Sequence, residues 1–107
     1  MELVAEDAIA SFREVLGPTN ALEAKQTAPR TLRAAFGSDA MRNAIHGSAT
    51  SADYQREASL FFGKSFAPTA AFNNCSCCII KPHVIQEGLA GQLIDMILQE
   101  GFEISSM

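Results

Sequence analysis

Arg42-Asn43-Ala44-Ile45-His46-Gly47-Ser48 places a histidine between an apolar pair and a glycine. Ala44-Ile45 lies among polar residues and is long enough only for a minimal strand. Gly47, next to His46, leaves room for a ligand to approach the backbone. A lone histidine beside apolar residues is ordinarily a satisfied structural side chain. The surrounding residues argue for chemistry instead. Arg13, Arg33 and Arg42 stand in flanking segments, and the planar fork of arginine matches phosphate oxygens. Glu57 belongs to the following helical stretch, from which it can fold back onto the ring. A carboxylate that holds one ring nitrogen leaves the other as nucleophile and stabilises the charge that develops. That combination suits a phosphohistidine.

Towards the N-terminus, residues 5–16 are expected as a helix. Ile9, Phe12, Val15 and Leu16 recur on one face, with Glu6, Asp7, Arg13 and Glu14 elsewhere. Gly17-Pro18 ends it. Thr19 or Asn20 caps a short helix over 22–27, Pro29 interrupts, and Thr31 caps a third turn from Leu32 to Phe36. Towards the C-terminus, Ser51 or Asp53 opens a helix that reaches Phe62. Residues 63–74 read as a linker by composition, beginning Gly63-Lys64-Ser65 and containing Pro68. Cys77-Cys78-Ile79-Ile80 then reads as a buried strand closed by Pro82. A helix over 87–99 follows, with Leu89, Leu93, Ile94, Ile97 and Leu98 on one face. Phe102-Glu103-Ile104 alternates like the start of another strand. A strand that opens so close to the last residue reads as truncation.

The chain has 107 residues, enough for one small domain that buries roughly two-thirds of its unfolded surface. Hydrophobic residues make up 48% and charged residues 19%, which excludes a disordered chain. A net charge of −4 argues against a general nucleic-acid surface, so no nucleic-acid partner is expected. No apolar run of about 18 residues is present, so no membrane partner is expected either. The N-terminus lacks the basic and apolar regions of a secretory signal. With three cysteines and no export signal, a reducing, cytoplasmic compartment is expected. Cys75, Cys77 and Cys78 with His83 nearby raise the question of zinc. A structural zinc site pairs two spaced ligand sets, and only one cluster exists. The expectation is therefore no metal site, with the cysteines as small buried side chains.

Arg42-Asn43-Ala44-Ile45-His46-Gly47-Ser48 resembles the active-site signature of the nucleoside diphosphate kinases. Gly17-Pro18-Thr19-Asn20 and Ala28-Pro29-Arg30-Thr31-Leu32-Arg33-Ala34-Ala35-Phe36-Gly37 resemble the segment that precedes it in that family. The match runs through residues 3–62 in one register. By implication, His46 accepts the γ-phosphoryl group of ATP or another nucleoside triphosphate and passes it to a nucleoside diphosphate. Mg2+ would arrive with the nucleotide. Arg13, Thr19 and Arg33 would contact phosphates and Asn43 the sugar. Glu57 would orient His46, with Ser48 beside it. Ala21, Arg30, Ala35 and Ala49 depart from the family pattern, mostly away from these positions.

Residues after the linker resemble the beginning of the same family. Ile80-Lys81-Pro82, Gly88-Leu89-Ala90-Gly91 and Gly101-Phe102-Glu103-Ile104 look like its first strand, first helix and second strand. Lys81 matches the catalytic-site lysine, while His83 stands where aspartate is usual. The expected organisation is therefore 1–62 from the end of one kinase-like domain, 63–74 as linker, and 75–107 from the start of a second. That order, with Cys75-Ser76-Cys77-Cys78-Ile79-Ile80-Lys81-Pro82-His83, resembles the junction in a tandem-domain, ciliary branch of the family. The branch implies microtubule or centrosomal partners and a cytoskeletal location at the cilium axoneme or centrosome.

The fold implied is an α+β sandwich of ferredoxin-like type, a four-stranded antiparallel sheet under helices. Here it is expected to be incomplete, helix-rich and short in its strands. Residues 77–107 are expected to donate a first strand and Lys81, giving a permuted pseudo-domain with a central strand missing and exposed edges. On that expectation the isolated chain is marginal, with little activity. The two functional readings are phosphotransfer through His46 and a non-catalytic structural or interaction module of the axoneme or centrosome.

Overall fold

A strand too short to stand out in the sequence holds the middle of the sheet. The computed structural model describes residues 1–62 and 75–107, so the expected linker over 63–74 lies outside the described residues. The elements are β1 (Glu2–Val4), α1 (Ala8–Leu16), α2 (Ala21–Thr27), α3 (Leu32–Phe36), β2 (Ile45–Gly47), α4 (Ser51–Phe62), β3 (Cys75–Ile80), α5 (Pro82–Gln86), α6 (Ala90–Gln99) and β4 (Glu103–Ser106). The strands form one antiparallel sheet in the order β2-β3-β1-β4. This is the expected α+β arrangement. The central strand expected to be missing is present: β1 pairs with β3 on one side and β4 on the other.

Strand alternation sorts the side chains onto two faces. Leu3, Ile45 and Cys78 point to one face, where they meet Phe12 and Leu16 of α1, Leu32 of α3, Val84 of α5 and Leu93 and Ile97 of α6. Phe12 and Phe102 pack edge to face with ring centroids 5.3 Å apart, joining the N-terminal and C-terminal parts through one core. Glu2, Cys77 and His46 point to the other face, towards α4. Helix α4 contacts β3, yet none of its residues is fully buried.

Three boundaries differ from expectation for identifiable reasons. Helix α1 starts at Ala8 rather than residue 5, because β1 and a left-handed turn at Asp7 (φ 49°) come first. Strand β3 begins at Cys75 rather than Cys77, since Cys75 pairs with Val4. Pro82 does more than close β3. It opens α5 from its first position, where its missing N–H leaves no bond unmade. The expected 87–99 helix accordingly starts late, at Ala90.

Candidate active site

Two tight local structures bring the site residues together. Ahead of β2, Asp39 Oδ1 accepts from the backbone N–H of Met41 (2.8 Å) and Arg42 (2.7 Å), and Ser38 N donates to Arg42 O at 2.8 Å. Ala44 then adopts a positive φ of 70°, and Ile45 N donates back to Asn43 O at 2.9 Å. This is a γ-turn of the strained hand, which costs on the order of 1–2 kcal/mol at a non-glycine residue. The strained peptide is held because Lys81 N donates to Ala44 O at 2.8 Å, carrying the β2–β3 ladder onto the turn. The turn sends Ile45 into the core and His46 to the opposite face.

Gly47 has a different role from the one its sequence neighbourhood suggests. It lines the pocket, but the direction a side chain would take is already filled. A Cβ there would lie 2.7 Å from Phe12 Cδ1 and 2.9 Å from Leu16 Cδ1. Gly47 therefore lets α1 close on β2, and so brings Arg13 of α1 beside His46. At the end of α1, Gly17 takes a φ of 76° against the Thr31 side chain, a left-handed exit that glycine permits.

The pocket has a volume of about 390 Å³. Six expected residues line it: Arg13, Thr19, Arg33, Asn43, His46 and Lys81. Ser48 and Glu57 stand directly behind the histidine. His46 Nε2 lies 3.0 Å from Glu57 Oε1, and Ser48 Oγ donates to Glu57 Oε2 at 2.8 Å. Ser48 is fully buried, and its hydroxyl also accepts from Cys77 N at 3.3 Å. Arg42, the other arginine the sequence offers, is exposed and does not line the pocket.

A carboxylate can only accept hydrogen bonds, so the His46–Glu57 contact puts the ring proton on Nε2. Nδ1 of the neutral ring then carries the free lone pair. Three cations share the pocket. Arg33 donates to Gly17 O at 2.9 Å, and its pKa is lowered first by burial and then by the neighbouring Arg13. Lys81 donates to Asn43 Oδ1 and, at 3.1 Å, to Met41 O. Burial and then Arg33 lower its pKa, with Asp39 opposing. Glu57, the carboxylate behind the histidine, is taken by His46 and Ser48. Such a cluster attracts an anion. Asn43 is buried and bridges the two parts of the wall, because its Nδ2 donates to Thr19 O at 2.9 Å.

One interaction escaped the sequence reading. Nothing in a three-residue strand marks Glu2 as a buried carboxylate, and Tyr54 donates to it from α4. The cysteine run is buried, as its small apolar side chains led one to expect. Cys75, Cys77 and Cys78 are all buried, and burial raises each thiol, Cys78 to about 12. Among the described residues no cluster of three or more His, Cys, Asp or Glu could hold a metal ion.

The chain is similar to known proteins along its length. The chain is 47% identical over 111 residues to "Nucleoside diphosphate kinase homolog 7" of Rattus norvegicus, covering 100% of this chain and 28% of that protein. Its Mus musculus counterpart is 44% identical over the same lengths. "Nucleoside diphosphate kinase" of Aquifex aeolicus is 45% identical over 60 residues, covering 56% of this chain and 42% of that protein. The chain thus spans well under half the length of these curated relatives. The family model described as "Nucleoside diphosphate kinase" matches residues 1–66, the span that contains His46 and its carboxylate, and the chain belongs to that family.

Proposed function

We propose that this chain moves a phosphoryl group between nucleotides through a covalent phosphohistidine at His46. The reading rests above all on one observation: Nε2 of His46 is tied to Glu57 at 3.0 Å while three cations share its pocket. With Nε2 protonated, Nδ1 attacks the terminal phosphorus of a nucleoside triphosphate. The N–P bond forms as the P–O bond to the leaving diphosphate breaks. A terminal oxygen of a second nucleoside diphosphate then attacks the same phosphorus and releases His46 with its lone pair restored. Glu57 stabilises the positive ring during the covalent stage, and Ser48 fixes the carboxylate.

Arg13, Arg33 and Lys81 hold the phosphate chain and offset its charge. Charge-assisted contacts of this kind contribute about 1.5–3 kcal/mol each. Positioning of this sort is most of what phosphoryl transfer needs from a protein. The Thr19 hydroxyl is assigned to the phosphates. Asn43 keeps one N–H free for the sugar while its carbonyl oxygen orients Lys81. Mg2+ is part of the substrate, bound to the nucleotide's own phosphate oxygens, where it neutralises charge.

Incubation with nucleoside triphosphate labelled at the γ position tests the reading. Acid-labile label should appear on the chain, leave on addition of nucleoside diphosphate, and be absent from His46→Ala. Label that persists in a folded His46→Ala, or none on the unaltered chain, overturns it.

A further inference from the structure

The helix that carries Glu57 has little apolar hold on the sheet. Helix α4 has no fully buried residue, and Leu60 and Phe61 near its end are 77% and 57% exposed. It lies on β3, on the face opposite the core. Two polar clamps join its half-buried face to the sheet. One is Glu57 itself, on His46 and Ser48. The other lies one helical turn earlier on the same face, where Tyr54 donates its phenolic hydrogen to Glu2.

The second clamp is a built feature. Glu2 sits on the central strand β1 and is only 3% exposed. A buried carboxylate is costly unless donors meet it. Tyr54 meets Oε1, and Ser105 Oγ donates to Oε2 at 2.9 Å. Ser105 reaches it because the β1–β4 register slips between Glu2 and Leu3, a bulge that aims an extra residue of β4 at the carboxylate. Burial, and then Glu2 itself, raise the Tyr54 pKa, so the phenol remains an O–H donor.

We propose that Tyr54 is a positioning residue for the His46 reaction. Its bond to Glu2 fixes where α4 sits along β3, and thereby where the Glu57 carboxylate meets Nε2. The proposal rests on the phosphohistidine reading for its catalytic consequence, but its structural half can be read without turnover. In the full chain, 15N NMR of His46 should report one tautomer, with the proton on Nε2. Tyr54→Phe keeps the ring and deletes the donor. It should convert that single tautomer to a mixture and slow phosphorylation of His46 roughly tenfold, with nucleotide affinity changed less than about twofold. Arg56→Ala deletes the exposed pair with Asp53 on the same helix and should leave both readouts unchanged.

An unchanged tautomer and rate in Tyr54→Phe overturns the proposal, and so does an Arg56→Ala variant with the same defect, which would point to general loosening of α4. If the unaltered chain takes no phosphate, the phosphohistidine reading fails and the tautomer comparison alone decides the clamp. Should Tyr54→Phe not fold, Glu2→Gln decides instead. It keeps an acceptor and drops the charge, so a smaller tautomer change in the same direction supports the clamp and no change overturns it.

Discussion

Lys81 reaches the pocket from the junction between β3 and α5, while His46, Arg33 and Asn43 arrive from β2, α3 and the turn before β2. Its lowered pKa has a definite consequence for binding. In the empty pocket, burial and Arg33 disfavour the ammonium, whereas a bound phosphate favours it. The sign follows: an anion binds best below the lowered pKa of Lys81, and binding weakens as pH rises through it. That fall should therefore set in below 10.5, the value for an unperturbed lysine. Titration of nucleoside diphosphate affinity against pH checks this. Lys81→Met should weaken affinity at neutral pH by about 10-fold to 100-fold, the equivalent of one charge-assisted contact, and flatten the alkaline fall. The grouping around His46 was legible from its neighbours, because a histidine, a distant carboxylate and several arginines form a chemical set, and the structure brings Glu57, Arg13 and Arg33 to it. The role of Gly47 was not. Its crowding comes from Phe12 and Leu16, which only tertiary packing brings near.

Helices with a clear apolar stripe were readable and supply much of the core, whereas α5, too short to show a stripe, went unseen although it contributes Val84. Helix α6 buries Leu93 and Ile97, two residues the spacing had already put on one face. Helix α4 was located correctly but buries none of its residues fully, and its polar contacts depend on residues far away in the chain. Strand β1 could not be read, because three residues with a glutamate among them carry no alternation worth the name. The contrast between α6 and α4 predicts unequal costs. Ile97→Ala should destabilise the fold by about 2–5 kcal/mol, since it empties a fully buried site. Leu60→Ala, at 77% exposure, should stay within about 0.5 kcal/mol of the unaltered chain. Urea unfolding of both variants makes the comparison. Near-equal losses would mean that α4 is anchored by its apolar side after all.

The pairing of the strands decides whether the N-terminal part can fold without the rest. Strand β2 pairs with β3, and β1 pairs with β3 and β4, but β1 and β2 do not pair with each other. Both partners that they need come from residues beyond 74. The sequence signalled that a strand and a lysine would be donated, yet it understated the dependence, because β1 went unseen and its neighbours with it. Ending the chain at residue 74 would remove β3, β4, α5 and α6, along with Val84, Leu93, Ile97 and Phe102 from the core. It would also strip Ser48 of both its contacts to Cys77, the ones that set the depth of Glu57 behind His46. Net stabilities of small domains are only about 5–15 kcal/mol, and losing even one of these large side chains costs about 2–5 kcal/mol. Residues 1–74 alone should therefore show no cooperative thermal transition by circular dichroism and no protection from proteolysis, whereas residues 1–107 should show both. A cooperative transition in the shorter chain would mean that β1 and β2 find partners other than β3 and β4, and that the sheet order seen here is not the one that holds His46 in place.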